Sequence, residues 1–235
     1  FLNLSYDPEN KYSVPYMWGT IGILYNPEVV TEPVTSWDVL WDEKYKDNVY
    51  MFNSIRDTMA IALIETGSSI NTTNADEIAK AKEALIKQRD LTSPVYVVDE
   101  VKDNMIADEK ALATVWSGDA LYVMNDNDKL EYAIPEEGSN YWVDAMVIPK
   151  DAPNKEGAEA FINFLCDAEN AKQNVEYIEY STPNAAAYDL LDDETKNNPV
   201  AYPSDEVLKR CTLFTDLDSE TLKLYEAAFT EVLSN

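Results

Sequence analysis

Twice in this chain a short apolar run ends at a turn and passes straight into a helical pattern, and that order of strand then helix limits the fold more than any other feature. Asn48-Val-Tyr-Met-Phe52 is followed by Asn53-Ser-Ile-Arg-Asp57, which opens a helix with Ile55, Met59, Ala62 and Leu63 at helical spacing. Ala111-Leu-Ala-Thr-Val-Trp116 passes in the same way into Ser117-Gly-Asp-Ala and a helix through Tyr122 and Met124. Strands alternating with helices through much of 235 residues argue an α/β architecture. Open sheets of that class bind ligands where strands end and helices begin, and Ser54, Asp57 and Trp116 all stand at such places. Placement in a first helical turn, against the helix dipole, accounts for Asp57 equally well, and both readings stand.

The remaining elements follow from local signals. Tyr12–Gly19 reads as extended and Ile21–Tyr25 as a strand stopped by Asn26-Pro27. Ser36 caps a short helix from Trp37 to Trp41, whose tryptophans read as structural. Asn74 and Glu77 form a capping-box pattern ahead of Ile78, Ala81, Leu85 and Ile86. A short strand at Val95–Val98 and a helix at Glu100–Asp108 come next, then two amphipathic helices, Lys155–Cys166 and Ala168–Tyr177, with Asp167 as N-cap. The end of the chain carries helices at Ser204–Leu208 and Asp218–Leu233, the last with Leu222, Tyr225, Phe229 and Val232 on one face. Cys166 follows Phe161, Ile162 and Leu165 at helical spacing and reads as a buried free thiol; its pairing with Cys211 is left open.

One stretch carries chemistry. Asn140-Tyr-Trp-Val-Asp-Ala-Met-Val-Ile-Pro149 lies between Glu137-Gly-Ser and Pro149, with Val143, Met146, Val147 and Ile148 giving it the character of a buried strand. Strand alternation turns Trp142 and Asp144 to one face. A ring face and a carboxylate pointing the same way suit an organic cation; a core Trp beside a surface Asp is the plainer reading.

Composition narrows the choice. Asp and Glu number 44 against 18 Lys and Arg, a net charge of −26, so nucleic acid is a poor partner while cationic ligands are attracted. The absence of histidine removes imidazole metal sites and the usual nucleophile-activating base. No Gly-rich phosphate loop or metal motif is present, and no cofactor is expected. Asn71-Thr-Thr73 matches a glycosylation acceptor, a pattern common by chance. Paired carboxylates for glycoside hydrolysis have no signature here, so an acidic carbohydrate-active enzyme stays as a rival. No run approaches the length of a membrane span, and the opening residues Phe1-Leu-Asn-Leu-Ser are neither a basic region nor a signal core.

From Tyr12 almost to its end, the chain resembles the bacterial spermidine/putrescine-binding proteins, the extracytoplasmic receptors of polyamine ABC transporters. The stretches that carry the resemblance are Tyr12-Ser-Val-Pro-Tyr-Met-Trp-Gly19, Val34-Thr-Ser-Trp-Asp-Val-Leu-Trp41, Val115-Trp-Ser-Gly118, Tyr141–Pro149, Asn154-Lys-Glu-Gly-Ala158 with Phe161–Leu165, and Tyr180-Ser-Thr-Pro-Asn184. The resemblance implies a two-lobed fold of the type II periplasmic-binding-protein kind, closing on a polyamine whose methylenes lie against rings and whose ammonium groups meet carboxylates. It implies no enzymatic activity, a permease as partner, and a place outside the cytoplasm, tethered or fused to a membrane component. It assigns Trp142 and Asp144 as the central ring and carboxylate, Trp116 as a second ring, Asp57 where the family has a glutamate, Tyr180 as a further aromatic contact, and Ser54 where the family has an aspartate. The last difference weakens any choice between spermidine and putrescine. A same-fold receptor for another amine or a sugar is the alternative.

The same resemblance divides the chain. Residues 1–18 end a lobe-one segment, 19–141 form lobe two, 142–188 return to lobe one, and 189–235 supply C-terminal helices mainly of lobe two. It also implies that the opening part of lobe one lies outside this sequence. The return segment of lobe one, about Trp142 to Tyr188, is then expected to expose apolar surface, to rearrange or to associate with another copy.

Overall fold

The computed structural model describes residues 4–234; residues 1–3, on which part of the reading of the N-terminus falls, lie outside them. The chain divides into two compact units. Unit 1 is Phe1–Gly19 with Trp142–Pro203, and unit 2 is Thr20–Tyr141 with Ser204–Asn235. Residues 189–203 therefore belong to unit 1, whereas the C-terminal helices proper, from Ser204 onward, belong to unit 2.

Unit 2 is built on a sheet. Strand β1 (Ser13–Tyr25), whose second half lies in this unit, pairs antiparallel with β4 (Leu112–Trp116) and with β5 (Glu131–Ala133). Strand β2 (Val49–Phe52) runs parallel to β4 and to β3 (Val95–Val97). Ser139–Tyr141 of β6 (Ser139–Val147) pair parallel with β7 (Cys211–Leu213). The whole sheet runs β3-β2-β4-β1-β6-β7, with β5 on β1. Parallel neighbours need a crossover, and α1 (Ile55–Glu65), α2 (Ala75–Thr92) and α3 (Glu100–Ile106) provide it. Helix α4 (Ser117–Asp126) follows β4 directly, the short α9 (Asp205–Leu208) precedes β7, and α10 (Ser219–Leu233) packs on α2 and α1. The core gathers Ile21, Ile23, Trp37, Leu40, Met51, Met59, Leu63, Leu85 and Tyr225, all buried. Trp37 and Trp41 are structural as expected: their indole nitrogens donate to Gly138 O at 2.9 Å and Ala84 O at 2.8 Å.

Several expectations are corrected. The two extended segments about Gly19 are one continuous strand, β1, since Gly19 and Thr20 keep the extended course. The capping box is rearranged: Thr72 Oγ1 accepts from the Asn74 N–H, so the Glu77 carboxylate takes the Thr72 hydroxyl instead of reaching back to the cap. In α10, Leu222 is 39% exposed, and Thr221 and Ala228 are buried beside Tyr225, Phe229 and Val232. The Asn71 side chain, in the glycosylation-like pattern, binds Arg56 Nη2, the Thr215 N–H and Leu213 O.

Unit 1 holds the first half of β1, the second half of β6, and α5 (Lys155–Leu165), α6 (Ala168–Ile178), α7 (Ala185–Leu190) and α8 (Asp193–Asn197). Asp167 caps α6 as read, accepting from Glu169 and Asn170. Helices α7 and α8 and strand β7 are short and carry no periodicity a sequence could show. The buried character read for β6 is reversed beyond Tyr141: Val147 is exposed, and Val143, Met146 and Ile148 are only half-buried. Helix α5 has no buried residue, with Phe161 60% and Phe164 55% exposed, and Cys166 is half-buried rather than buried. Both cysteines are free thiols.

Near the C-terminal end of α1, Glu65 lies beside Asp38, with Glu137 and Lys87 within electrostatic reach. Burial, the hydrogen bond with Asp38 and the two like charges push the Glu65 carboxyl up to about 7, against a weaker opposite pull from Lys87. The folded state thus keeps a proton that the unfolded chain releases near its ordinary value of 4.5, so this contribution is full below that pH and is lost as pH rises to about 7. Glu65→Gln is expected to flatten the loss. The urea midpoint at pH about 8 should fall less, relative to pH about 5, than in the wild type.

Candidate functional site

Unit 2 gathers Ser54, Asp57 and Trp116 through the ends of two parallel strands. Phe52 ends β2, Trp116 ends β4, and their rings meet at 4.7 Å between centroids, tilted by 37°. Phe52 is buried, which fixes one face of the half-buried Trp116. Two residues past Phe52, Ser54 occupies the N-cap position of α1 in extended conformation without capping the helix. Its hydroxyl lies near enough to the Asp57 carboxylate to favour the charged form. Asp57 is 8% exposed, and burial raises its pKa against the opposing effects of Ser54 and of the Arg56 charge. Arg56 is drawn aside: its guanidinium lies over Phe214 at 4.4 Å and Tyr225 at 5.5 Å and donates to Thr215 O and Asn71 Oδ1. Asp57 is left a desolvated carboxylate whose charge is only partly compensated. Such a group gains from a cation brought to it.

Unit 1 gathers Trp142, Asp144 and Tyr180. The Trp142 and Tyr180 rings meet edge to face, 5.1 Å between centroids and 72° between planes. Tyr180 is placed by the strand beside it: Trp18 bridges Ser181, donating its N–H to Ser181 O at 3.0 Å and its indole Nε1 to Thr182 O at 3.2 Å. Tyr202 completes the hold, packing edge-on to Trp18 and accepting from the Thr182 N–H. Asp144 follows Trp142 on the same strand face. Its residue surface is largely exposed, yet the protein around the carboxyl excludes enough water to raise its pKa. Tyr16 lies within electrostatic reach of it; burial first, and then the Asp144 charge, raise the phenol's pKa. The Trp142 Nε1 is buried and has no hydrogen-bond acceptor among the described residues.

All six residues named from the sequence thus fall into two groups, each with a carboxylate of raised pKa and an aromatic pair. Sequence reasoning missed Phe52, Trp18 and Tyr16. Phe52 was visible as the end of the strand before Ser54, but its contact with Trp116 needs the parallel pairing of β2 and β4. Trp18 and Tyr16 sit in the extended Tyr12–Gly19 stretch, and nothing local says what they touch. Among the described residues no group of three or more carboxylates and thiols is placed to hold a metal ion.

Comparison with known proteins bears on the family and the fold. The sequence pattern of the family described as bacterial extracellular solute-binding protein matches residues 2–203. The chain is 37% identical over 210 residues to the spermidine/putrescine-binding periplasmic protein of Salmonella typhimurium, covering 89% of this chain and 60% of that relative. It is 33% identical to a putrescine-binding periplasmic protein of Pseudomonas aeruginosa, over 97% of this chain and 66% of the relative. Among solved structures, the spermidine/putrescine ABC transporter substrate-binding protein of Streptococcus pneumoniae superposes with a TM-score of 0.87 at 38% identity, covering 99% of this chain and 72% of that one. The α/β fold is that of type II periplasmic binding proteins.

The Phe52 ring has no room to be lost cheaply. Phe52→Ala should destabilise the chain by about 3–5 kcal/mol in urea denaturation, the range for emptying a buried aromatic site. Trp116 fluorescence should shift with it, since its ring loses the fixed face.

Proposed function

Because the chain belongs to the bacterial extracellular solute-binding proteins, we propose that it captures a polyamine such as putrescine or spermidine outside the cytoplasm and delivers it to the permease of an ABC transporter. The observation that carries the reading is Asp144, a carboxylate of raised pKa, on one strand face with the Trp142–Tyr180 ring pair. An ammonium placed there meets the carboxylate and a ring face together, and the methylenes beside it meet apolar surface. In unit 2 Asp57 and Ser54 at the start of α1 and Trp116 at the end of β4 supply the same kinds of group: a carboxylate, a hydroxyl and a ring fixed by Phe52. The net charge of −26 raises the local concentration of a dication and speeds its arrival. Binding without turnover is the whole activity in this reading. The relatives' names support the reading.

Calorimetric titration with putrescine and spermidine tests the proposal. One-to-one binding is expected, and Asp144→Asn should weaken it about tenfold to a hundredfold, the cost of removing one partner of a charge-assisted bond. Affinity should fall as salt rises, because part of the attraction is screened. It should also fall on acidification, since Asp57 and Asp144 protonate at higher pH than ordinary carboxylates and a neutral acid no longer attracts an ammonium. Binding of a neutral sugar indifferent to Asp144→Asn, or release of sugar from a glycoside, would replace the polyamine reading. The exposed, stacked Phe161 and Phe164 support self-association as well. Sedimentation velocity should show a concentration-dependent dimer that strengthens with salt and disappears in the Phe161→Ser, Phe164→Ser double variant.

A further inference from the structure

We propose that unit 1 carries a subsite for an acylated arm of the amine, next to Asp144; this rests on the polyamine reading and narrows it. A cavity of about 160 Å³ lies in the unit, walled by Tyr16 of β1, Met146 of β6, Leu165 and Cys166 at the end of α5, and Ala171 and Asn174 of α6. Two observations connect it with the binding residues. Met146 follows Asp144 by two positions, so strand alternation turns both to one face, about 6.7 Å apart along the strand. Tyr16 lines the cavity and is also the phenol that feels the Asp144 charge.

The chemistry of the walls selects what enters. No carboxylate lines the cavity, so a second ammonium there would be desolvated without a counter-charge. The Asn174 Nδ2 is buried and has no acceptor among the described residues. Two further polar side chains are engaged locally: Asn184 accepts from Ala186 and Ala187 and donates to Cys166 O, and Thr182 Oγ1 accepts from the Asn184 N–H. An ammonium group only donates, and leaves the Asn174 donor as unsatisfied as before. An amide carbonyl accepts. The ligand class that fits is therefore a polyamine with an internal ammonium at Asp144 and, three methylenes further, an acyl-capped nitrogen whose carbonyl oxygen takes the Asn174 N–H. The methylenes lie against Met146 and Leu165, where their burial is favourable. The buried, unpaired Trp142 Nε1 adds to the demand for an acceptor in this unit.

The test compares spermidine with its N1-acetyl derivative, acetylated on the three-carbon arm, by calorimetric titration of the whole chain. The wild type should bind the acetylated ligand at least as tightly as spermidine. Asn174→Asp keeps the shape of the side chain and replaces the donor by an acceptor. It should weaken the acetylated ligand about tenfold or more and leave spermidine unchanged or tighter. Met146→Trp, which fills the cavity from the strand, should also reject the acetylated arm while spermidine still binds. The subsite is overturned if the wild type takes spermidine but binds the acetylated form tenfold or more weakly, or if Asn174→Asp weakens both ligands alike. Silence toward both ligands would overturn the polyamine reading, and this subsite with it.

Discussion

The hydrogen-bonded ladder of β1 is the constraint on which the other parts depend. Its residues Ile23 to Tyr25 are paired on both edges, to β4 and to β5, which leaves the strand no freedom to slip: a one-residue shift would turn the buried Ile21 and Ile23 away from the core. That register places the end of β4, and with it Trp116. Earlier in the same strand, Trp18 grips Ser181 and Thr182 with backbone and indole, and so sets Tyr180 against Trp142. Tyr16, next on that face, comes within reach of Asp144. Each half of the strand therefore indexes residues of its own unit that are far apart in the sequence.

The electrostatics follow from what surrounds the carboxylates rather than from how many there are. Most of the acidic residues are exposed and raise only the general field, whereas Asp57 and Asp144 have lost water without gaining a dedicated ion pair. Water loss disfavours each as an isolated anion, and in the proposed reading the rings at the site favour an organic cation with apolar methylenes over a strongly hydrated one. Arg56, the one cation adjacent to Asp57 in sequence, is held away by Phe214 and Tyr225 and by its bonds to Thr215 and Asn71. Its stacking keeps the carboxylate available.

Much of this was legible in the residues. The strand-to-helix transitions after Phe52 and Trp116, the caps at Ser36 and Asp167, and the shared face of Trp142 and Asp144 are all local, and the fold preserves them. The misreadings have a common cause: burial is a tertiary property that a helical or apolar pattern only suggests. Helix α5 has the spacing of a packed helix yet presents Phe161 and Phe164 to solvent, and β6 changes from buried to exposed after Tyr141 without a change in its apolar character. Leu222 and Thr221 exchange sides of α10 for the same reason, one position of rotation that the pattern could not fix. The Phe52–Trp116 and Trp18–Thr182 contacts depend on strand pairing, and no spacing rule reaches across it.

A crystal structure of the chain with putrescine bound tests the central claim most directly, since the claim is one of contact. The account predicts an ammonium nitrogen about 3 Å from the Asp144 carboxylate, with methylenes lying against the Trp142 ring. Putrescine bound elsewhere, or at this place with its nitrogens on water and Asp144 turned away, would contradict it.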